Sequence, residues 1–373
     1  MAGIYLHIPF CRQKCHYCNF HFTTSLRYKD ELLGAMIKET EAEKDYLQGE
    51  TIKTVYFGGG TPSLLEPAQL EAQLDSIFKH YQVAPGAEIT LEANPDDINP
   101  GQLEAWKSAG INRLSIGVQS FQEEELRWMN RAHSASQAIE NVKLALEFFP
   151  NITIDLIYGS PLLSDELWKE HVDIATGMGI PHLSCYALTV EEKTPLQKRI
   201  RQNISADVDQ DKQARQFLLL MQWLREKGYE HYEVSNFAKP GFRSRHNSAY
   251  WKGEKYLGLG PSAHSFNGEE RRWNIANNTV YIKQSEQNSF QREKETLTAV
   301  QQLNEYLMIS LRTMEGISLE TIAVKWGDEE KKRVEQVSSK FISQGLMLLK
   351  YDHLVLTDEG MLRADGLASE LFQ

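Results

Sequence analysis

Six short apolar runs, each followed by a stretch with helical character, occupy the first two-thirds of the chain and restrict its architecture more than any other feature. The runs are GIYLHI (3–8), IKTVYF (52–57), AEITLEA (87–93), INRLSIGV (111–118), ITIDLIY (152–158) and HLSCYAL (182–188). Between them lie segments such as YKDELLGAMIKETEAEKDYL, PAQLEAQLDSIFKHY and SQAIENVKLALEFF, long enough to cross back over a sheet. Strands alternating with helices build parallel βα units. Six of them predict an α/β fold with a partial (β/α)6 barrel over residues 1–235, not the closed barrel of eight.

In barrels of this kind chemistry collects where the strands end, and here the unusual residues collect there. The cysteines follow the first strand, GGGTP the second, EANP the third and GVQS the fourth, while the fifth carries Asp155 in DLIYG. Glycine and proline punctuate any loop, but five such ends in register point to a site.

A long helix near 209–227 leads into 236–292, expected as an irregular connecting region that contains AKPGF, RHNSAYW and GLGPSAHSF. From 293 to 373 three helical stretches precede LMLLKYDHLVLTDEG, the pattern of a smaller helical, winged-helix-like domain. That fold often binds DNA, yet residues 328–373 hold nine acidic and six basic residues. The formal charge of −11 and the lack of a basic stripe argue against nucleic acid throughout. No window reaches the roughly 20 apolar residues of a membrane span, and Met1–Phe10 is too short and polar for a secretory signal. These features predict a cytoplasmic protein whose membrane contact, if any, is peripheral.

Of the four cysteines, three fall within HIPFCRQKCHYCNF, at 11, 15 and 18. In a reducing compartment such clustering means metal rather than disulfides. Three thiolates from one loop can hold three irons of a cubane cluster. A structural zinc is the alternative, with His16 or His21 as a fourth ligand. Cys185 reads as a small core residue.

Cys11-x3-Cys15-x2-Cys18, with Tyr17 before the last cysteine, resembles the signature of the radical S-adenosylmethionine (SAM) superfamily. Within it YLHIPFCRQKCHYC, GGGTP, EANP, GVQSF and IDLIYG are similar to the oxygen-independent coproporphyrinogen III oxidase group. The resemblance implies a [4Fe-4S] cluster on Cys11, Cys15 and Cys18, with SAM completing the fourth iron. It also implies SAM contacts from Gly59, Gly60 and Thr61 at the amino group and from the Glu92 carboxylate. Gln119, Arg131 and Asp155 would meet its nucleoside or carboxylate, Tyr5 and Tyr17 would flank the cluster, and Ala187 would touch the ligand by backbone. Whether one SAM binds or two stays open.

That group contains oxidases and a shorter haem-chaperone branch, and three features resemble the second. Phe20 stands where the oxidases have a further cysteine, only ten residues precede Cys11, and HNSAYW (246–251) matches the branch's H-N-x-x-Y-W pattern. From spacing alone His246 is a packing or hydrogen-bonding residue, whereas the motif makes it an axial haem ligand. His231 and His264 are secondary candidates. The resemblance implies haem as cargo and an apo-haemoprotein acceptor, such as a membrane-associated respiratory cytochrome. The alternatives are coproporphyrinogen III oxidation by radical decarboxylation and another radical SAM enzyme, for example a methyltransferase.

Overall fold

The computed structural model describes residues 2–373. The six predicted strands are present as β1 (Ala2–Ile8), β2 (Ile52–Gly59), β3 (Val83–Ala93), β4 (Arg113–Gln119), β5 (Ile152–Tyr158) and β6 (His182–Ala187), parallel and adjacent in that order. Their connections are the expected helices, including Lys29–Ala42, Pro67–His80, Ala135–Phe148 and Asp165–Gly177. Polar caps start several of them: Ser134 and Ser164 accept from the amides of Gln137 and Leu167, the contact that an N-terminal turn lacks from its own backbone.

The strands are two-sided, unlike most buried parallel strands. On β1, Ile4, Leu6 and Ile8 are fully buried against the helices, and Val55, Phe57, Leu91, Leu114 and Ile154 continue that face. Each such side chain contributes roughly 1.5–3 kcal/mol relative to exposure. The alternate residues build a polar inner face. Register sets Tyr5 beside Tyr56, Thr90 beside Arg113, Glu92 beside Ser115, and Asp155 beside Ser184. A sheet that is apolar outside and polar inside leaves its inner face to line a site.

Beyond β6 the sheet ends in two antiparallel strands, β7 (Glu230–Glu233) and β8 (Asn236–Ala238). At the other edge the structure corrects the expectation for 236–292. That stretch is ordered: a helix (Arg245–Trp251) is followed by β9 (Lys255–Leu259), which pairs parallel with β1. β10 (His264–Phe266), β11 (Glu270–Asn274) and β12 (Arg292–Thr296) then add in antiparallel order. The local signal is weak because KYLGL is short and holds a glycine; pairing to the open edge of β1 decides its conformation. The twelve strands form one open sheet, not a closed barrel.

The C-terminal domain packs the helices Ala299–Leu311, Leu319–Trp326 and Asp328–Ser343 on a small sheet of β13 (Ile317–Ser318), β14 (Met347–Lys350) and β15 (His353–Leu356). Leu303, Leu307, Ile322, Val334 and Phe341 form its own core. Arg271 ties it to the main sheet through Glu305, at 2.5 Å.

Candidate functional site

The loop after β1 is pinned at both ends. The Thr23 amide donates to the Pro9 carbonyl at 2.9 Å and the Cys11 amide to the Thr23 carbonyl at 3.0 Å. Gly60 lets the second strand end come close, since a Cβ there would lie 2.6 Å from the Phe10 carbonyl oxygen. Gly59 has φ +105°, a conformation few other residues adopt. The result is a cavity of about 500 Å³ at the C-terminal strand ends.

Cys11, Cys15 and Cys18 line this cavity together with Tyr17, Gly59, Gly60, Thr61, Glu92, Gln119, Arg131, Asp155 and Ala187. Every predicted cluster and SAM residue except Tyr5 is therefore brought to one place. Burial pushes the Cys11 thiol up to about 11 and raises Cys18 as well. Thiols so placed give up their protons when a cation arrives to hold the thiolates. Each histidine of the zinc alternative has one ring nitrogen engaged outside the cavity: His16 Nδ1 lies 2.7 Å from the Trp128 carbonyl and His21 Nε2 lies 2.8 Å from Asn278 Oδ1.

Arg131 is the organising cation. Its guanidinium donates to Cys15 Sγ (3.2 Å), Asn94 Oδ1 (2.6 Å) and the Gly117 carbonyl (2.6 Å), while its Nε is buried with no partner among the described residues. An orphan charged donor in a cavity suits an anionic or oxygen-rich ligand group. Across the cavity Glu92 accepts from Tyr56 Oη at 2.8 Å and from the Gly59 amide at 3.2 Å. Burial nevertheless pushes its carboxyl up to about 7, and that of Asp155 to about 6. Two carboxyls held near neutrality favour a cationic partner, which would return each to its ionised form. The donor set of thiols, one guanidinium and two carboxyls therefore fits a zwitterionic, cationic ligand such as SAM beside an iron–sulfur cluster.

Gln119 ends β4 with φ +70°, a strained conformation for a side chain of its size, at the cavity wall. Asn94 and Tyr186 also line the cavity and went unsingled in the sequence. Asn94 holds Arg131 and donates to Thr61 Oγ1 at 3.2 Å. It lies within EANP, where it reads as an ordinary turn residue. The strand period of two could have found Tyr186, since Cys185 beside it is buried on the opposite face.

Two predicted residues lie elsewhere. Tyr5 donates toward His7 Nδ1 at 3.2 Å and faces a second cleft across the cysteine loop. His246, only 3% exposed, starts the helix Arg245–Trp251. Its Nδ1 lies 2.8 Å from Thr54 Oγ1 and its Nε2 3.0 Å from Tyr250 Oη, one turn along, and burial lowers its pKa to about 3. Tyr56 joins the two regions. Its ring stacks on His246 at 4.9 Å while its hydroxyl serves Glu92 in the cavity. His231 stacks on Phe237 at 4.2 Å in the packing around β8. Among the described residues no helix is long and apolar enough to cross a membrane.

Comparison with known proteins agrees with this geometry. Residues 5–175 match the model of the radical SAM superfamily, and residues 297–363 match the HemN C-terminal domain. The chain is 36% identical over 375 residues to the heme chaperone HemW of Mycobacterium tuberculosis, covering 99% of this chain and 94% of that protein. It is 32% identical over 376 residues to HemW of Bacillus subtilis, covering 100% and 98%. The mitochondrial radical S-adenosyl methionine domain-containing protein 1 of Mus musculus is 33% identical, with 98% and 86% covered. Coproporphyrinogen III oxidase (HemN) from Escherichia coli superimposes with a TM-score of 0.86 at 22% identity, covering 100% of this chain and 90% of that one, which shows the shared fold. An open radical SAM sheet with its C-terminal domain, together with identity along the full length of the curated relatives, places this chain in the HemW family of the radical SAM superfamily.

Proposed function

We propose that this protein carries haem and passes it to apo-haemoproteins, with respiratory cytochromes as the acceptors. In this reading Cys11, Cys15 and Cys18 would hold a [4Fe-4S] cluster, with SAM bound beside it. Such a cluster supplies a Lewis-acidic iron for the amino and carboxylate groups of SAM and an electron donor beside the sulfonium. The chain's own residues do the rest. Glu92 and Asp155 meet cationic groups, the free Nε of Arg131 meets an oxygen of the ligand, and Gly59, Gly60 and Thr61 support the amino group by close backbone approach. Gln119 and Ala187 would border the nucleoside, and Tyr17 would shield the cluster from water. The protein works in the cytoplasm and meets membrane-bound acceptors from outside the bilayer.

One observation carries the proposal. The helix that bears the HNSAYW motif reaches the cavity wall through Tyr56, whose ring stacks on His246 and whose hydroxyl donates to Glu92, with the Tyr5 ring stacked beside both. A haem site and a SAM site in side-chain contact suit a carrier whose cofactor gates its cargo. Ligation by His246 itself would require Tyr250 Oη to leave Nε2. The test is transfer. Reconstituted protein loaded with ferric haem and mixed with membranes containing an apo-cytochrome should lose its haem to the cytochrome. Retention of haem by the carrier, or conversion of coproporphyrinogen III to protoporphyrinogen, would sink this reading.

A further inference from the structure

Across the cysteine loop from the SAM cavity lies a cleft of about 330 Å³, walled by Phe20, His21, Tyr5, Tyr250, Tyr256 and His264. Phe20 borders both spaces and is 67% exposed, an unusual position for so large an apolar ring. The β1–β9 register puts Tyr256 beside Gly3 and Gly258 beside Tyr5, so the cleft continues the inner face of the sheet past β1. Tyr250 packs edge-on against Tyr256 at 4.7 Å.

The histidines around this cleft differ in what their nitrogens are doing. His7 lies between Tyr5 Oη and the His21 carbonyl, the latter 2.8 Å from its Nε2. His21 is tethered through Nε2 to Asn278, and His246 is occupied at both nitrogens. His264 is exposed, and neither of its ring nitrogens has a hydrogen-bond partner among the described residues. Its ring lies on the indole of Trp273 at 5.7 Å and 25°, which fixes the plane while leaving the nitrogen edge open. Partial burial and the neighbouring Arg271 lower its pKa, so the imidazole is neutral and keeps a lone pair for a metal.

We propose that this cleft is the haem seat and that His264 supplies the exchangeable iron ligand, with Phe20 and Tyr250 against the macrocycle. The inference rests on the haem-carrier reading above and names the residues that reading leaves open. His246 then acts as a positioning residue, holding the Tyr250 ring in the wall through its hydroxyl. The cleft is smaller than a whole porphyrin, so part of the ring stays in solvent. A carrier needs that exposure, because an acceptor must reach the cargo before it is released.

The test is a ferric haem titration of the full, cluster-loaded chain, with ligation read by resonance Raman and EPR, which separate haem from cluster. Wild type should bind one histidine-ligated haem. His264→Gly should lose the histidine signature and bind at least about tenfold more weakly, about 1.4 kcal/mol, with iron content and circular dichroism unchanged. Added imidazole should restore the signature, which a purely structural role would not allow. His246→Ala should keep histidine ligation with a broadened band. If His264→Gly leaves ligation and affinity intact while His246→Ala or His21→Ala abolishes them, the cleft assignment is overturned and haem binding stands. If wild type binds no stoichiometric haem, the carrier reading falls with it.

Discussion

The cavity at the strand ends surrounds three thiols with Glu92, Asp155 and Arg131, whereas the cleft across Phe20 is walled by tyrosines and histidines and has no carboxylate in its lining. Both open on the same inner face and share one loop. The difference teaches what each can hold. Ionisable groups forced toward neutrality by burial wait for an opposite charge to restore them, which suits a small zwitterion. Aromatic walls with an unpaired neutral nitrogen suit a flat, apolar ligand with a metal at its centre. The two regions meet at Phe20 in the loop and at Tyr56 beneath it.

The largest effect comes from breaking the first region alone. Cys15→Ala should reduce cluster iron to background and abolish SAM binding, because one corner of the cluster loses its thiolate and Arg131 its sulfur partner. Haem binding should survive. Iron analysis and haem titration on the same sample check this, and simultaneous loss of both would mean that the regions are one site.

A smaller, graded effect sits on Glu92. Its folded pKa of about 7 lies above its ordinary value of 4.5, so the folded state keeps a proton that the unfolded chain has lost. Stability should therefore fall as pH rises from about 4.5 to about 7 and then level off. The full cost is roughly 3 kcal/mol at about 1.4 kcal/mol per pH unit. SAM affinity should move the other way, rising as the carboxylate forms. Glu92→Gln should flatten both trends, as read by urea midpoints and by SAM titration across that range. A variant that retains the wild-type slopes would assign them to another group, Asp155 first.

The smallest effect tests the second region. Tyr250→Phe removes the hydroxyl from Nε2 of the buried His246 and should cost about 1 kcal/mol in urea unfolding. SAM affinity should not change. A SAM defect in this variant would show that the motif helix influences the cavity more strongly than these ring contacts convey.

Much of this molecule is legible in its sequence. The six strands stand out because each is a compact apolar run ending in a loop of special residues, and those endings line one cavity. Other features were hidden for physical reasons. KYLGL becomes a parallel strand only because β1 leaves an edge unpaired. Asn94 matters because Arg131, 37 positions later, lies 2.6 Å away. The motif histidine attracts attention in HNSAYW, yet Thr54 and Tyr250 occupy its nitrogens, while among the described residues no side chain hydrogen-bonds those of His264 in GLGPSAHSF.

By itself the sequence determined which chemistry was present: three thiols at cluster spacing, glycines where the backbone must come close, and acids and an arginine at strand ends. Those are local properties, set by residue type, spacing and the period of two. Only the tertiary structure decided availability. Whether a thiol, a carboxyl or an imidazole is free depends on burial and on partners brought from distant segments, and here that separated His264 from His246 and placed Tyr5 outside the cavity that its neighbours line.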